Sequence, residues 1–413
     1  MDNLTHTLIG VLVGETVART TSASNPGLDP QRRRNLLVTA SAITSNLPDL
    51  DFIASLITGD KLQYLLEHRG HTHTLIGALL IALTTSLAFE IWFHFRKWHV
   101  SWRDRTQLLG VMLLALLLHV GMDFTNNYGV HPFWPFYNGW LYGDSIFIWE
   151  PLLWTAAAPL AFLLRTKVAR TLIWALLMTA LAVCFTSGLV PLVSSLLMTA
   201  LAGMMLAIGK SAAPRTALFA GIVVWIGITG LFAMNRSIAE AQIRDLIGSR
   251  IPDTQVLDYV LTPMPADPLC WDVMLPMLND EHYVIRHGSW SILPGLISGA
   301  QCPGRALFND ITAPMTKVSE LDTASVLWHG EMIMPRDQMA ALAQAHCIAA
   351  EFMRFARVPW SLRREASWII GDLRYDRESE LGFAELDLKD DANVSCPRPA
   401  PWLPPRSDLL ELR

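Results

Sequence analysis

Apolar residues run nearly unbroken over about 72–95, 106–122, 147–164, 171–187, 191–208 and 216–234. Each run is close to the ~17–25 residues that carry an α-helix across a bilayer, so six long spans are predicted. Two earlier apolar pieces, 4–18 and 36–47, fall short of that length, and the second stops at Pro48 ahead of Asp49 and Asp51. These are expected as short, tilted or re-entrant helices.

From about residue 236 the pattern changes. Charges become frequent, no run is long enough to span, and prolines punctuate 262–268 and the C-terminus. Residues 255–261, 271–278 and 283–292 read as strands, the last two joined by a turn at Asn279-Asp280-Glu281. Residues 336–357 have helical spacing through Met339, Leu342, Ala345, Ala349, Phe352 and Phe355. The predicted fold class is a polytopic α-helical membrane domain over 1–235, with six long spans and two short N-terminal helices. A soluble α+β C-terminal domain over 236–413 follows it. That tail is long enough for a core of its own, and Trp271, Trp290, Trp328, Trp360 and Trp368 are expected to fill it.

Composition agrees with this division. The 413 residues are 52% hydrophobic and 17% charged, too apolar for an ordinary soluble protein. The net charge of −5 and the absence of a basic block longer than Arg32-Arg33-Arg34 argue against a nucleic-acid partner. The stretch from Met1 to Ala18 carries Asp2 and Glu15 and no Lys or Arg ahead of its apolar part, so it is expected to be retained rather than cleaved.

Charge also predicts orientation. One set of alternate loops holds Arg19, Arg32, Arg33, Arg34, Arg96, Lys97, Arg103, Arg105, Arg165, Lys167, Arg170, Lys210 and Arg215, whereas the opposite set holds Lys61 and Arg69. The first set is therefore expected in the cytoplasm. His6, Asp49, Asp51, His68, His73, His119 and Asp123 then all fall on the outer side. Residues 123–146 lack Lys and Arg but carry Trp134, Tyr137, Trp140 and Tyr142, as an interfacial belt does. The tail would lie outside as well, where Cys270, Cys302, Cys347 and Cys396 can form two disulfides or remain as buried thiols.

Metal chemistry needs imidazoles and carboxylates converging from separate elements. Asp2 and His6 are i and i+4, as are His119 and Asp123; Asp49 and Asp51 follow Pro48, and His68 and His73 open an apolar run. Ionisable groups at membrane depth are costly and mark a site. The expected metal ligands are His6, Asp51, His68, His73, His119 and Asp123, with Asp49 as the alternative to Asp51. Whichever of Asp49 and Asp51 is unligated would serve as general base. Arg69, nearly the only outer-loop cation, would hold a phosphate bidentately or contact headgroups. Asn126, Asn127 and Tyr128 would orient substrate or ligands. His71 is bystander or ligand, His131 heads the aromatic belt, and His282, His287, His329 and His346 show no ligand-type spacing with nearby carboxylates.

Met1-Asp2-x-x-Thr5-His6-x-x-x-Gly10, Pro48-Asp49-x-Asp51, His68-Arg69-Gly70-x-Thr72-His73 and His119-x-x-x-Asp123-x-x-Asn126-x-Tyr128-Gly129 together resemble the YdjM-like family over roughly residues 1–165. These are bacterial inner-membrane metal-dependent hydrolases, some of them under LexA control. The His119-x-x-x-Asp123 pair, with His73 and Asp51 or Asp49, is also distantly similar to zinc-dependent phospholipase C and the P1-type nucleases. The resemblance implies a hydrolase in the inner membrane that uses one or two divalent ions, zinc by preference.

The expected function is a membrane-bound metal-dependent hydrolase acting at the outer face on a lipid or lipid-linked phosphoester. Phosphodiester, pyrophosphate and carboxylic ester bonds stay open. A metal or solute transporter and a membrane anchor displaying the tail are the rival readings. In the hydrolase reading the tail covers the site or selects the headgroup.

Overall fold

A computed structural model of the chain describes residues 1–22, 27–53, 59–303, 311–365, 367–379, 381–389 and 396–411. It divides into two compact units. The first contains 1–51, 69–134 and 146–231; the second contains 52–68, 135–145 and 232–413.

The first unit is helical. Helix α1 (Asn3–Thr20) starts where the Asp2 carboxylate accepts the Thr5 amide at 3.0 Å, and α2 (Pro30–Thr44) runs beside it. After a 3-10 turn at Pro48–Asp51 and a second at His71–His73 come α4 (Leu75–Phe95) and α5 (Trp102–Phe124). Helix α3 (Lys61–Glu67) lies between those turns in sequence and belongs to the second unit. Thr74 and Ser101 cap α4 and α5 through their hydroxyls. Then follow α6 (Pro151–Ala156), α7 (Leu160–Leu163), α8 (Lys167–Thr186), α9 (Leu192–Ser211) and α10 (Pro214–Arg250).

Five of these helices, α4, α5, α8, α9 and α10, are long and apolar enough to cross a membrane. Burial separates their roles. Only 11% of the apolar window of α4 is buried in the protein, against 50% for α5, so α4 turns most of its surface outward and α5 forms the centre.

The run at 147–164, expected as a sixth long span, is instead two short helices. Pro159 has no amide proton to return to Thr155, and the chain tightens through i to i+3 bonds from Ala157 to Trp154 and from Ala158 to Thr155. The apolar run survives because the break is buried: Leu152, Leu153, Ala156, Ala157, Ala158 and Leu160 are all inside. A Cβ on Gly209 would sit 2.6 Å from Pro159 Cα, so the glycine lets α9 close over the break. The broken stretch runs alongside α1. Trp154 Nε1 donates to Thr5 Oγ1, and at the other end Arg19 and Arg34 both donate to the Leu163 carbonyl.

The second unit is built on antiparallel sheets. Strands β1 (Gln255–Val256), β2 (Val260–Met264), β3 (Asp267–Leu278), β4 (His282–Ser291) and β5 (Val326–Pro335) form one sheet of order β1-β3-β4-β5, with β2 also paired to β3. The β3–β4 hairpin turns through Asn279, whose side chain accepts the Glu281 and His282 amides. Strands β6 (Pro359–Arg364), β7 (Ser367–Asp372) and β8 (Glu385–Lys389) make a second sheet. Trp271, Trp290, Trp328 and Trp360 are buried as core. The single helix expected over 336–357 is two, α11 (Gln338–Ala345) and α12 (Cys347–Phe352), because His346 between them is extended. Two disulfides, Cys270–Cys302 and Cys347–Cys396, brace the unit, and Cys184 of α8 is free and buried.

The second unit also takes in two pieces from among the helices. Trp402 Nε1 donates to the Leu66 carbonyl at 2.6 Å, Lys61 Nζ to the Glu385 carbonyl at 3.0 Å, and Trp140 Nε1 to the Arg354 carbonyl at 2.7 Å. Helix α3 and the loop around Trp140 are thus bonded to the tail.

Candidate metal centre

In the first unit, Asp49, His73, His119 and Asp123 converge. All four are buried, and one ligand-type atom from each lies within 4.8 Å of the others. His73 Nε2 is 3.3 Å from Asp49 Oδ1, 3.0 Å from Asp123 Oδ2 and 3.0 Å from His119 Nε2; His119 Nε2 is 3.3 Å from Asp123 Oδ2 and 3.6 Å from Asp49 Oδ1. Donors ~2.1 Å from a tetrahedral zinc stand about 3.4 Å apart. The measured separations bracket that edge, so the cluster can hold a metal ion.

Local structure dictates this convergence. Helix α2 ends at Thr44, and the Pro48–Asp51 turn presents Asp49 inward. The His71–His73 turn must pass tightly into α4, and a Cβ on Gly77 would collide with the His71 carbonyl. His119 and Asp123 share one face of α5, one turn apart.

The second nitrogen of each imidazole sets its tautomer. His119 Nδ1 donates to the Ser45 carbonyl at 2.7 Å, because a carbonyl only accepts, and this leaves the Nε2 lone pair facing the cluster. His73 Nδ1 lies 3.0 Å from Thr72 Oγ1 and 3.4 Å from Asp51 Oδ2, while Thr72 Oγ1 itself donates to Asp51 at 2.9 Å. His73 Nδ1 thus carries the proton and its Nε2 also points inward. Two lone pairs 3.0 Å apart, with two carboxylates beside them, require a positive charge between them. Burial alone lowers the His73 pKa, yet the Asp123, Asp49 and Asp51 carboxylates overcome it and lift the value to about 10. Burial likewise works against the Asp49 carboxylate, but the His119 and His73 rings beside it, which without a metal ion take up a second proton at Nε2, bring its pKa below the ordinary value.

The remaining expected residues stand around this group. Asp51, expected as a ligand, lies behind His73 and accepts the Arg69 amide at 3.0 Å; Asp49 takes the inner place. His6 stacks on His119, with ring centroids 3.8 Å apart, and its Nε2 is 3.3 Å from Asp123 Oδ1. Arg69, expected on a phosphate or headgroup, is 2% exposed and directed onto Asp123 and Asn126. His68, expected as a ligand, caps α3 in the second unit and stacks on Tyr64, outside the four. His71 is exposed with its ring on Trp134. His131 is buried with Nδ1 3.5 Å from the Arg69 carbonyl; burial is the main reason its pKa falls to about 3. The Ser45 carbonyl was not singled out in the sequence, since a backbone acceptor leaves no compositional trace, and Thr72 stood in the quoted motif without a role.

These apolar helices and this buried His/Asp group are those of a membrane protein with a candidate metal centre. Residues 1–190 match the YdjM inner membrane protein family. The chain is also similar to the uncharacterized protein YfhP of Bacillus subtilis (strain 168), at 26% identity over 153 residues, which is 37% of this chain and 43% of that protein. It therefore spans less than half the length of that relative. No solved structure matches the chain.

Proposed function

We propose that the chain is a metal-dependent hydrolase of the inner membrane that acts at its outer face on a lipid or lipid-linked phosphoester. The observation that carries this reading is the convergence of Asp49, His73, His119 and Asp123 at a spacing that suits one ion, with the Nδ1 of both imidazoles engaged elsewhere. When bound, zinc would lower the pKa of a water and polarise a phosphoryl oxygen. Asp49 is the residue through which water enters. Its side chain keeps 9% exposure where His73, His119 and Asp123 have none, and it sits on a short turn rather than a long helix. Asp49 would be the residue to hold an incoming water and accept the proton it gives up. Asp51 and Thr72 hold His73, and the Ser45 carbonyl holds His119, so neither ring turns during the exchange.

Two observations support the outer side. The Cys270–Cys302 and Cys347–Cys396 disulfides in the second unit suit an oxidising compartment. The Lys and Arg loop asymmetry points the same way, with the broken 151–163 stretch completing the crossing alongside α1.

The test uses the full chain in detergent. Elemental analysis is expected to find zinc or a similar divalent ion, and a chelator is expected to abolish turnover of lipid phosphoesters. His119→Ala and Asp123→Ala together are expected to remove the ion. Stoichiometric metal in that double variant refutes the site.

A further inference from the structure

Asp123 offers its two carboxylate oxygens to different neighbours. Oδ2 faces His73 and His119, as a single metal ion requires. Oδ1 faces the other way, where Arg69 Nη2 lies 3.1 Å from it and His6 Nε2 3.3 Å. The Met1 backbone nitrogen meets the same oxygen. A carboxylate bridging two metal ions would present Oδ1 to the second, and His6 is the only further imidazole beside it among the described residues. His6 Nδ1 has no hydrogen-bond partner, although the side chain is buried. These are the parts of a second cation position, and a guanidinium stands in it.

Arg69 is held there firmly. Nη1 donates to Asn126 Oδ1 at 2.8 Å, the guanidinium lies 4.8 Å over the Tyr128 ring, and its backbone amide donates to Asp51. Its backbone takes φ 60°, a conformation that non-glycine residues rarely adopt and that the surrounding contacts must enforce. Charge gives the reason for keeping it. Asp49, Asp51 and Asp123 bring three negative charges, and one divalent ion with Arg69 balances them when the histidines and the buried Met1 amine are neutral. A second divalent ion would leave a buried excess of two positive charges, which a low-dielectric interior resists.

We infer that the centre takes one divalent ion and that Arg69 is a built-in second cation, placed on Asp123 Oδ1 where a binuclear site would hold its other metal. This rests on the metal-site reading above and deepens it. Arg69 is a positioning residue: it acts through Asp123.

Zinc stoichiometry of the full chain at saturating zinc tests this without an activity assay. The unsubstituted chain and Arg69→Lys are expected to bind one ion. Arg69→Gly suits the positive φ while removing the charge, and it is expected to bind two. Adding His6→Ala to Arg69→Gly should return the count to one. His6→Ala alone, which stands even if Arg69→Gly misfolds, is expected to keep a count of one ion. Two ions in the unsubstituted chain, one in a folded Arg69→Gly chain, or loss of the ion in His6→Ala each overturns the inference while leaving a metal site. No ion in the unsubstituted chain overturns the metal-site reading and this one together.

Discussion

Each unit buries a knot of charge, and the two knots are built differently. In the second unit Arg357 donates through Nη1 and Nη2 to the two oxygens of Asp144, 2.7 Å each, and through Nε to Asp258 at 2.8 Å, with its guanidinium 3.9 Å over Tyr142. Arg374 closes on Asp372 at 2.6 Å nearby. There, donors meet acceptors and the knot is complete without a ligand. In the first unit two carboxylate oxygens and two imidazole lone pairs face one another, and the ordinary donors point elsewhere. Both knots bury charged groups, so burial alone does not mark a site. What distinguishes the first knot is a convergence of acceptors that only a cation resolves.

The contrast is broken most severely by removing the arginine that holds both Asp144 and Asp258. Arg357→Met leaves Asp144 and Asp258 buried against an apolar chain and is expected to cost about 3–5 kcal/mol of stability, with bound metal unchanged. Tryptophan-fluorescence unfolding and elemental analysis read the two quantities. A stability change near zero, or a loss of metal, would show that the second knot is not an independent strut.

A smaller effect is expected at the edge of the first knot. Asp51→Asn keeps the shape but weakens the acceptor that orients His73, so zinc affinity should fall about 10–100-fold with the fold intact. Competition with a chromogenic chelator measures it. Unchanged affinity would mean that Thr72 alone fixes the His73 ring.

The smallest effect separates the units by pH. Burial, with Asp376 beside it, pushes the Glu385 pKa up to about 7. A carboxyl whose pKa is raised on folding binds its proton more tightly in the folded state. Its stabilisation is therefore complete below the ordinary carboxylate range and is lost as pH rises through about 7. The second unit should lose on the order of 1–2 kcal/mol between pH 5 and 8, and Glu385→Gln should flatten that slope. A slope that survives in the variant belongs to another group.

Much of this was legible along the chain because it is local. Five apolar runs became helices able to span, since twenty apolar residues are costly to leave in water and a helix satisfies their backbone. The β3–β4 hairpin followed from two strand-like runs joined by the short Asn279-Asp280-Glu281 turn. His119 and Asp123 were readable as partners because one helical turn separates them.

Other features needed distance in space. Pro159 was visible, but whether 147–164 would kink or break depended on the neighbours able to bury an interrupted backbone, including Gly209. His287 had no carboxylate at ligand-type spacing, yet strand pairing brings Asp272 to 2.7 Å from it. Nothing in Pro48-Asp49-x-Asp51 says which carboxylate reaches the imidazoles; a 3-10 turn decides it by aiming Asp49 inward and Asp51 at the far nitrogen of His73. Residue types and spacing thus determined the spans, the hairpin and the chemical kind of the centre, because each depends on neighbours in sequence. Only the tertiary structure decided which ligands meet, which histidine is left out, and that Arg69 faces Asp123 rather than water. Those outcomes depend on where separate helices stop relative to one another, and no local preference encodes that.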